Sequence, residues 1–391
     1  MSKLIAKKTR RTKIIVGVLI GQLILAISGS IWLINWHAKN RYYFVGEIVI
    51  YRNEDFTNYY NFPGNGTKED PYRIENLVIN TKLTFGIKIN GTSSHFIIRN
   101  CSVSAKFPIV LVNVSHGTAR IENNTIYGHY RPAIELIYCP GSIINNNVLY
   151  GSANYCRGIT TTGCYDSVIS NNICNNLEYG MYLLGLNNNL VVRNNTCNNN
   201  VNGIYFTHED YYLLQGGYIV SQSIRIENNT CTNNENGIIV LWVLDSFIIG
   251  NNCSYNNDYG YRGRGENMTF ERNYFGFNDI GLDVDYLANS LIKNNVFYNN
   301  TGVAIEAKTC SNTTIYANNF INNYYEGILQ NRSQVYDDSS AASENGPNIW
   351  YNATLSQGNY WSELIWFPGV TYAIRGSDNE DVYPLENPVE I

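Results

Sequence analysis

A short unit recurs along most of this chain: apolar-x-x-Asn-x-apolar, a few polar residues, then Gly-apolar-x-apolar. Its marker asparagines are Asn100, Asn124, Asn147, Asn172, Asn195, Asn229, Asn252, Asn273, Asn295 and Asn318. Successive separations are 24, 23, 25, 23, 34, 23, 21, 22 and 23 residues. The one long step contains "THEDYYLLQGGYIVSQ" (207–222), read as an inserted loop. A fixed period of this size marks a stacked repeat, in which each unit is too small to bury its own apolar face and leans on the next. The fixed leucine spacing of leucine-rich repeats is absent. Helical repeats are excluded by the period-two alternation of short β-branched stretches such as Gly237-Ile238-Ile239-Val240-Leu241. Asn and Gly tolerate left-handed backbone angles, which suits corners that must recur on every coil. The expected fold is all-β: a parallel β-helix of about eleven coils, a rod about 50 Å long at roughly 4.8 Å per coil.

The strand after each glycine aligns into columns. Ile87, Ile109, Ile134, Ile159, Met181, Ile204, Ile238, Tyr261, Leu282, Val303 and Ile328 make one inward column. Two residues on, Ile89, Leu111, Leu136, Thr161, Leu183, Phe206, Val240, Gly263, Val284, Ile305 and Gln330 make a second. Alternate strand residues share a face, so both point to the core. Two residues after the markers stand Cys174, Cys197 and Cys231, a column of three small buried hydrophobes. Stacked side chains point the same way rather than at each other, so the nine cysteines are not read as a disulfide framework. There is no C-x-x-C, and the five histidines (37, 95, 116, 129 and 208) show no ligand spacing. No metal site and no resident cofactor are expected from this pattern, beyond a divalent cation such as calcium held by surface acids.

The ends carry an address. Six Lys and Arg residues lie within the first 13, before the uncharged run "IIVGVLIGQLILAISGSIWLI" (14–34). This run is long enough to cross the hydrocarbon core as a helix. It reads as an uncleaved signal anchor with the basic tail inside and everything after about residue 40 outside; cleavage would make the protein secreted. Many Asn-x-Ser/Thr triplets, among them Asn123, Asn194 and Asn228, permit glycosylation there. Net charge is -5 and only 15% of residues are charged, which argues against a nucleic-acid binder. The expected layout is a tail 1–13, an anchor 14–34, an N-terminal cap and first strand 42–80, a β-helix 81–335 and a C-terminal cap 336–391 holding Trp350, Trp361, Trp366 and Phe367.

Three motifs carry a resemblance. "FPGNGTKEDPYRIENLVI" (62–79) is similar to the opening motif of right-handed parallel β-helix proteins of the NosD type. The coil "NNTCTNNENGIIV" is similar to their repeat, and "GNYWSE" (358–363) with "YPL" (383–385) to their closing segment. The resemblance covers about residues 45–388 and implies a right-handed, extracytoplasmic β-helix. Some such proteins assist copper-enzyme maturation, and the wider fold includes carbohydrate-binding proteins, lyases, polygalacturonases and epimerases. This chain departs in the closing run, "SELIWFPGVTY", and has only three methionines, a thin supply of copper ligands.

The outward columns of the aligned strand offer the candidate site. Arg262 and Arg264, in "YGYRGRG", fall one coil from Asp283 and Asp285, and the same alignment sets Asp285 beside Glu306. Read as chemistry, stacked carboxylates share a proton and serve acid–base catalysis: Asp285 and Glu306 in a glycosidase with Asp283 assisting, or Arg262 and Arg264 with an acid-held cation in a polysaccharide lyase. Read as structure, they are cross-strand ladders that offset each other's charge. Tyr182 and Tyr205 offer flat surfaces to sugars, and His208, at the start of the inserted loop, lies on the same face. Outward Ile239, Leu241 and Trp242 read as a patch for a partner or for the inserted loop. The functional expectation is a membrane-anchored surface β-helix that binds glycans or partner proteins. The alternatives are a lyase or glycosidase at the Arg/Asp/Glu patch, and a NosD-like accessory protein for metalloenzyme maturation.

Overall fold

The computed structural model describes residues 42–391 except 45, 130, 152–154, 208–219, 324–332 and 340–345. The expected anchor 14–34 and His208 lie outside the described residues. Among the described residues no helix is long and apolar enough to cross a membrane.

The chain winds as a parallel β-helix of about ten turns. Each turn contributes one strand to each of three faces, and each strand pairs with its counterpart a coil later. The longest sheet has thirteen strands, the second eleven; the third face is a six-stranded and a four-stranded sheet joined by isolated bridges through Thr196, Thr230 and Asn252. Every pairing between named strands is parallel except the terminal hairpin of Tyr372–Ala373 with Glu380–Asp381.

Register in the long sheet follows the sequence alignment from Ile87 to Leu282 and then departs from it. Leu282 pairs with Ile305, Asp283 with Glu306, Val284 with Ala307 and Asp285 with Lys308. The expected pairing of Asp285 with Glu306 is therefore wrong by two residues. Thr301, Gly302 and Val303 lengthen the corner, so Ala304 rather than Gly302 stands next to Gly281, and Leu282 N donates to Ala304 O at 2.9 Å. One coil on, the strand is Val335–Asp337, not the stretch around Ile328, which lies outside the described residues.

The asparagines do two jobs. A corner residue takes a left-handed angle, as Asn123, Asn194 and Asn228 do with φ of 56°, 55° and 54°. The next residue points inward and joins a ladder. Asn229 accepts from Asn195 N and Nδ2 at 3.0 Å each, and donates from its own Nδ2 to Val192 O at 2.9 Å and Asn251 Oδ1 at 3.0 Å. The ladder runs from Asn124 to Asn359, with Cys101 and Asn251 in the places expected for Asn100 and Asn252. A second ladder, five residues further on, runs Asn200, Asn234, Asn256, Asn278, Asn300, Asn323 and Gln334. Amides are the side chains for this because each carries both a donor and an acceptor, so a buried rung satisfies itself and its neighbours. The Asn-Asn-Thr triplets follow directly from the pattern: a corner residue, a rung, then a β-branched strand residue.

Both ladders end in a carboxylate. Asn359 N donates to Asp381 Oδ2 at 2.7 Å, and Gln334 Nε2 donates to Glu363. Every rung points its N–H toward the next coil, so the C-terminal end of each ladder presents an unmatched donor that an acid accepts.

Inside, the column two residues after the rungs holds four cysteines, not three: Cys174, Cys197, Cys231 and Cys253, all buried and reduced. Burial pushes the Cys253 thiol far above its ordinary range. The same column then turns aromatic, with Phe275, Phe297, Phe320, Trp361 and Tyr372 stacked at centroid spacings of 5.3, 5.0, 4.3 and 3.7 Å. Trp350 and Trp361 are cap core, their indoles donating to Asp337 and Asp381, while Trp366 and Phe367 are exposed. At the other end Phe56, on the short helix Asp55–Asn58, stacks on Tyr72 at 4.6 Å and closes the first coil.

Tyr261 is fully buried, and its ring fills the space left by Gly263, where an added Cβ would lie 2.5 Å from the phenol oxygen. That hydroxyl has no hydrogen-bond partner among the described residues. Tyr261→Phe is therefore expected to leave stability unchanged or raise it by about 1 kcal/mol, because an unsatisfied buried hydroxyl carries its full desolvation cost. A loss of more than that in urea unfolding would show that the hydroxyl is bonded.

Candidate functional site

The outer surface of the long sheet divides into two unlike halves. The half toward the C-terminus holds the charged patch. Arg262 Nε lies 3.1 Å from Asp283 Oδ2, Arg264 Nη2 lies 2.6 Å from Asp285 Oδ2, and Lys308 Nζ lies 2.9 Å from Glu306 Oε1. Burial raises the Asp283 pKa, with Arg262 opposing and the adjacent Glu306 adding to it. Three cations thus meet three carboxylates, and the patch has no spare charge. The arrangement is the ladder that alternating outward residues on parallel strands produce, each pair partly solvated and of small net worth.

The other half lacks such pairing of charges among the described residues. Arg157, Tyr179, Tyr182 and Tyr205 come from three successive strands, Arg157–Thr162, Tyr179–Leu184 and Asn202–Thr207. Pairing of Thr160 with Tyr182 and of Tyr182 with Tyr205 sets these two tyrosines on one outward column with Glu135, while Arg157 pairs with Tyr179 three residues earlier in the strands. Tyr182 and Tyr205 stack at 5.5 Å and 22°, and Tyr179 packs on both, at 4.7 and 5.4 Å. The Arg157 guanidinium lies over Tyr182, 4.0 Å from its centroid, and 5.3 Å from Tyr179. Arg131 covers Phe107 in the same manner, at 5.5 Å.

None of the charges in this half is neutralised by contact. Among the described residues, Arg131, Arg157 and Glu135 make no ion pair, and Glu135 no hydrogen bond. Burial raises the Glu135 pKa, against the pull of Arg131 and then Arg157. Between Glu135 and Tyr182 sits Thr160, 4% exposed, with its hydroxyl unpartnered. An open donor–acceptor set beside flat rings is what a polar, ring-shaped ligand needs. Tyr182 and Tyr205 were marked in the sequence, whereas Glu135, Arg157, Arg131 and Tyr179 were not. Arg157 and Tyr179 share a register position just before the coil glycine, so reading one more outward column would have brought them in.

Residues 61–219 match the family model described as a right handed beta helix region, and residues 187–364 match the one described as periplasmic copper-binding protein (NosD). The chain is thus a right-handed parallel β-helix protein. More narrowly, it is a β-helix repeat protein of the NosD type. No curated protein matches its sequence. Among solved structures it resembles the periplasmic alginate epimerase AlgG, at 14% identity over 89% of this chain and 82% of that one, with a TM-score of 0.42. The mannuronan C-5 epimerase AlgE4 A-module of Azotobacter vinelandii is 12% identical over 87% and 97%, with a TM-score of 0.42. Tailspike protein 3 of bacteriophage CBA120 is 12% identical over 78% and 57%, with a TM-score of 0.44. At these identities the likeness is one of fold.

Among the described residues no three His, Cys, Asp or Glu side chains converge as ligands. His116 is taken up by Asp166 at 3.2 Å and His129 by Ser104 at 3.1 Å. The donor set does not fit a copper centre, and no chemistry is routed through one.

Proposed function

We propose that this protein is an extracytoplasmic β-helix, held to the membrane by residues 14–34, that binds carbohydrate on the outer face of its long sheet. The supporting observation is the cluster of Tyr179, Tyr182 and Tyr205 with Arg157 laid over them and Glu135 and Thr160 unpartnered alongside. The tyrosine rings offer stacking faces for a sugar. Arg157 and Glu135 supply a donor and an acceptor whose hydrogen bonds are not already used among the described residues, while the Thr160 hydroxyl is buried and does not reach the surface. The basic cluster before the apolar run supports an inside tail and an outside rod.

Binding of the purified chain from residue 42 onward to an array of neutral and acidic plant, algal and bacterial polysaccharides tests this. Tyr182→Ala and Arg157→Ala are each expected to weaken the strongest hit at least tenfold, about 1.4 kcal/mol. Unchanged binding by both variants would place the contact elsewhere.

A further inference from the structure

The corner that ends the long sheet is built on left-handed residues, and on most coils a small or polar one fills it: Gly91, Gly163 and Gly185 have φ of 75°, 63° and 69°. As Tyr138 does on an earlier coil, at 53°, Trp242 and Tyr286 take the same angles, 61° and 55°. A bulky side chain strains this conformation where glycine does not, and such strain persists where the surroundings put it to use. Both residues are bulges: the strand between them, Tyr259–Glu266, lacks a residue at that place, and pairing skips from Leu241 to Val243 and from Gly263 to Gly265. The two rings consequently approach across an intervening coil, with centroids 6.2 Å apart and planes at 26°. They are 43% and 51% exposed. Arg264 lies 5.5 Å from each ring centroid and is pinned by Asp285 at 2.6 Å.

We infer that Trp242 and Tyr286, with the Arg264–Asp285 pair beside them, form a second sugar-stacking subsite, so that the face holds one linear glycan running obliquely along the rod. This rests on the carbohydrate reading of the Tyr182 cluster and adds length and direction to it. Four strand-to-strand steps separate Tyr182 from Tyr286, about 19 Å at roughly 4.8 Å each, so the ligand is an extended chain of about four or more sugars. The Arg264–Asp285 pair is neutral overall but fixed in place, so it offers a preorganised donor and acceptor to hydroxyls without demanding a charged sugar.

Calorimetric titration of the chain from residue 42 onward, with cello-oligosaccharides and with oligouronates from disaccharide to hexasaccharide, tests the inference. In the series that binds, affinity is expected to rise at least tenfold from disaccharide to hexasaccharide. Trp242→Gly and Tyr286→Gly should remove that gain and leave disaccharide affinity as in the parent chain; glycine takes both backbone angles freely, so the fold is kept. Tyr182→Ala should weaken every length. Binding without length dependence, or a Trp242→Gly variant that holds the hexasaccharide as tightly as the parent, overturns the second subsite alone. No binding of either series overturns the carbohydrate reading along with it.

Discussion

Asn229→Leu is expected to lower the stability of the rod by about 4 kcal/mol, whereas Asn228→Gly, one residue earlier, should change it by a few tenths. The two asparagines look alike in sequence and do opposite things. Asn228 sits at a corner with φ of 54° and is exposed, so glycine takes its place without strain. Asn229 is 1% exposed and takes part in four hydrogen bonds through its side chain, two accepted and two donated. Leucine has similar volume but removes all four bonds: Asn195 N and Val192 O lose the Asn229 side chain as a partner, while Asn195 Nδ2 and Asn251 Oδ1 each drop to one remaining bond, to Ile169 O and from the residue-229 N–H, in a dry interior where each group that cannot relax costs about 1–3 kcal/mol. Urea unfolding followed by circular dichroism reads both. Equal effects of the two substitutions would mean that water or a shifted rung replaces the lost bonds.

The second large effect concerns the C-terminal cap. Asp381 has no exposed surface and accepts from Asn359 N at 2.7 Å, Trp361 Nε1 at 3.0 Å and Tyr383 N at 3.1 Å, with no ion pair among the described residues. Burial outweighs these bonds and raises its pKa to about 6 from 3.8. The folded cap therefore binds the proton more tightly than the unfolded chain does. The stabilisation from this carboxyl is fully present below about pH 4 and is lost as pH rises through 6, by at most about 3 kcal/mol. Cap unfolding, followed by fluorescence of the buried Trp350 and Trp361, should need less urea at pH 8 than at pH 5. Asp381→Asn should remove most of that pH dependence. A cap more stable at pH 8 than at pH 5, with the trend abolished by Asp381→Asn, would reverse the assignment.

The architecture was legible in the sequence because one period carried it. The recurrence of Asn and Gly near every 23rd residue fixed the strand order, the inward columns from Ile87 to Leu282 and the Arg262–Asp283 and Arg264–Asp285 pairs. What misled was local spacing inside a corner. Gly302 looks like the coil glycine, but the longer corner gives that place to Ala304, and Glu306 moves from Asp285 to Asp283. In "IGNNCS" either asparagine satisfies the pattern, and only the inward direction set by Ile248 selects Asn251, which brings Cys253 rather than Ser254 into the core. The second ladder was hidden because a repeated asparagine beside a corner reads as turn composition. The open half of the face was half seen. Its tyrosines stand out by type, whereas an arginine without a partner is recognised only when the acids around it are known to be out of reach.

From Asn195 onward the two amide ladders act as a checksum on the segment between them. A pair of rungs connects only if its coil keeps the five-residue spacing seen from Asn195 to Asn200, and an error of one residue there orphans donors and acceptors on both sides, whereas rung-to-rung lengths of 22 and 34 residues are both accommodated at the other corners. A whole coil, by contrast, brings its own two rungs and can be removed without trace: without residues 229–250, Asn195 would meet Asn251 and Asn200 would meet Asn256. The carboxylates of Asp381 and Glu363 read only the last rung and are indifferent to how many precede it. Rods of this construction are thus expected to differ in length by whole coils, and the span of the outer face, with the length of chain it can grip, becomes a quantity that changes in steps of one strand spacing.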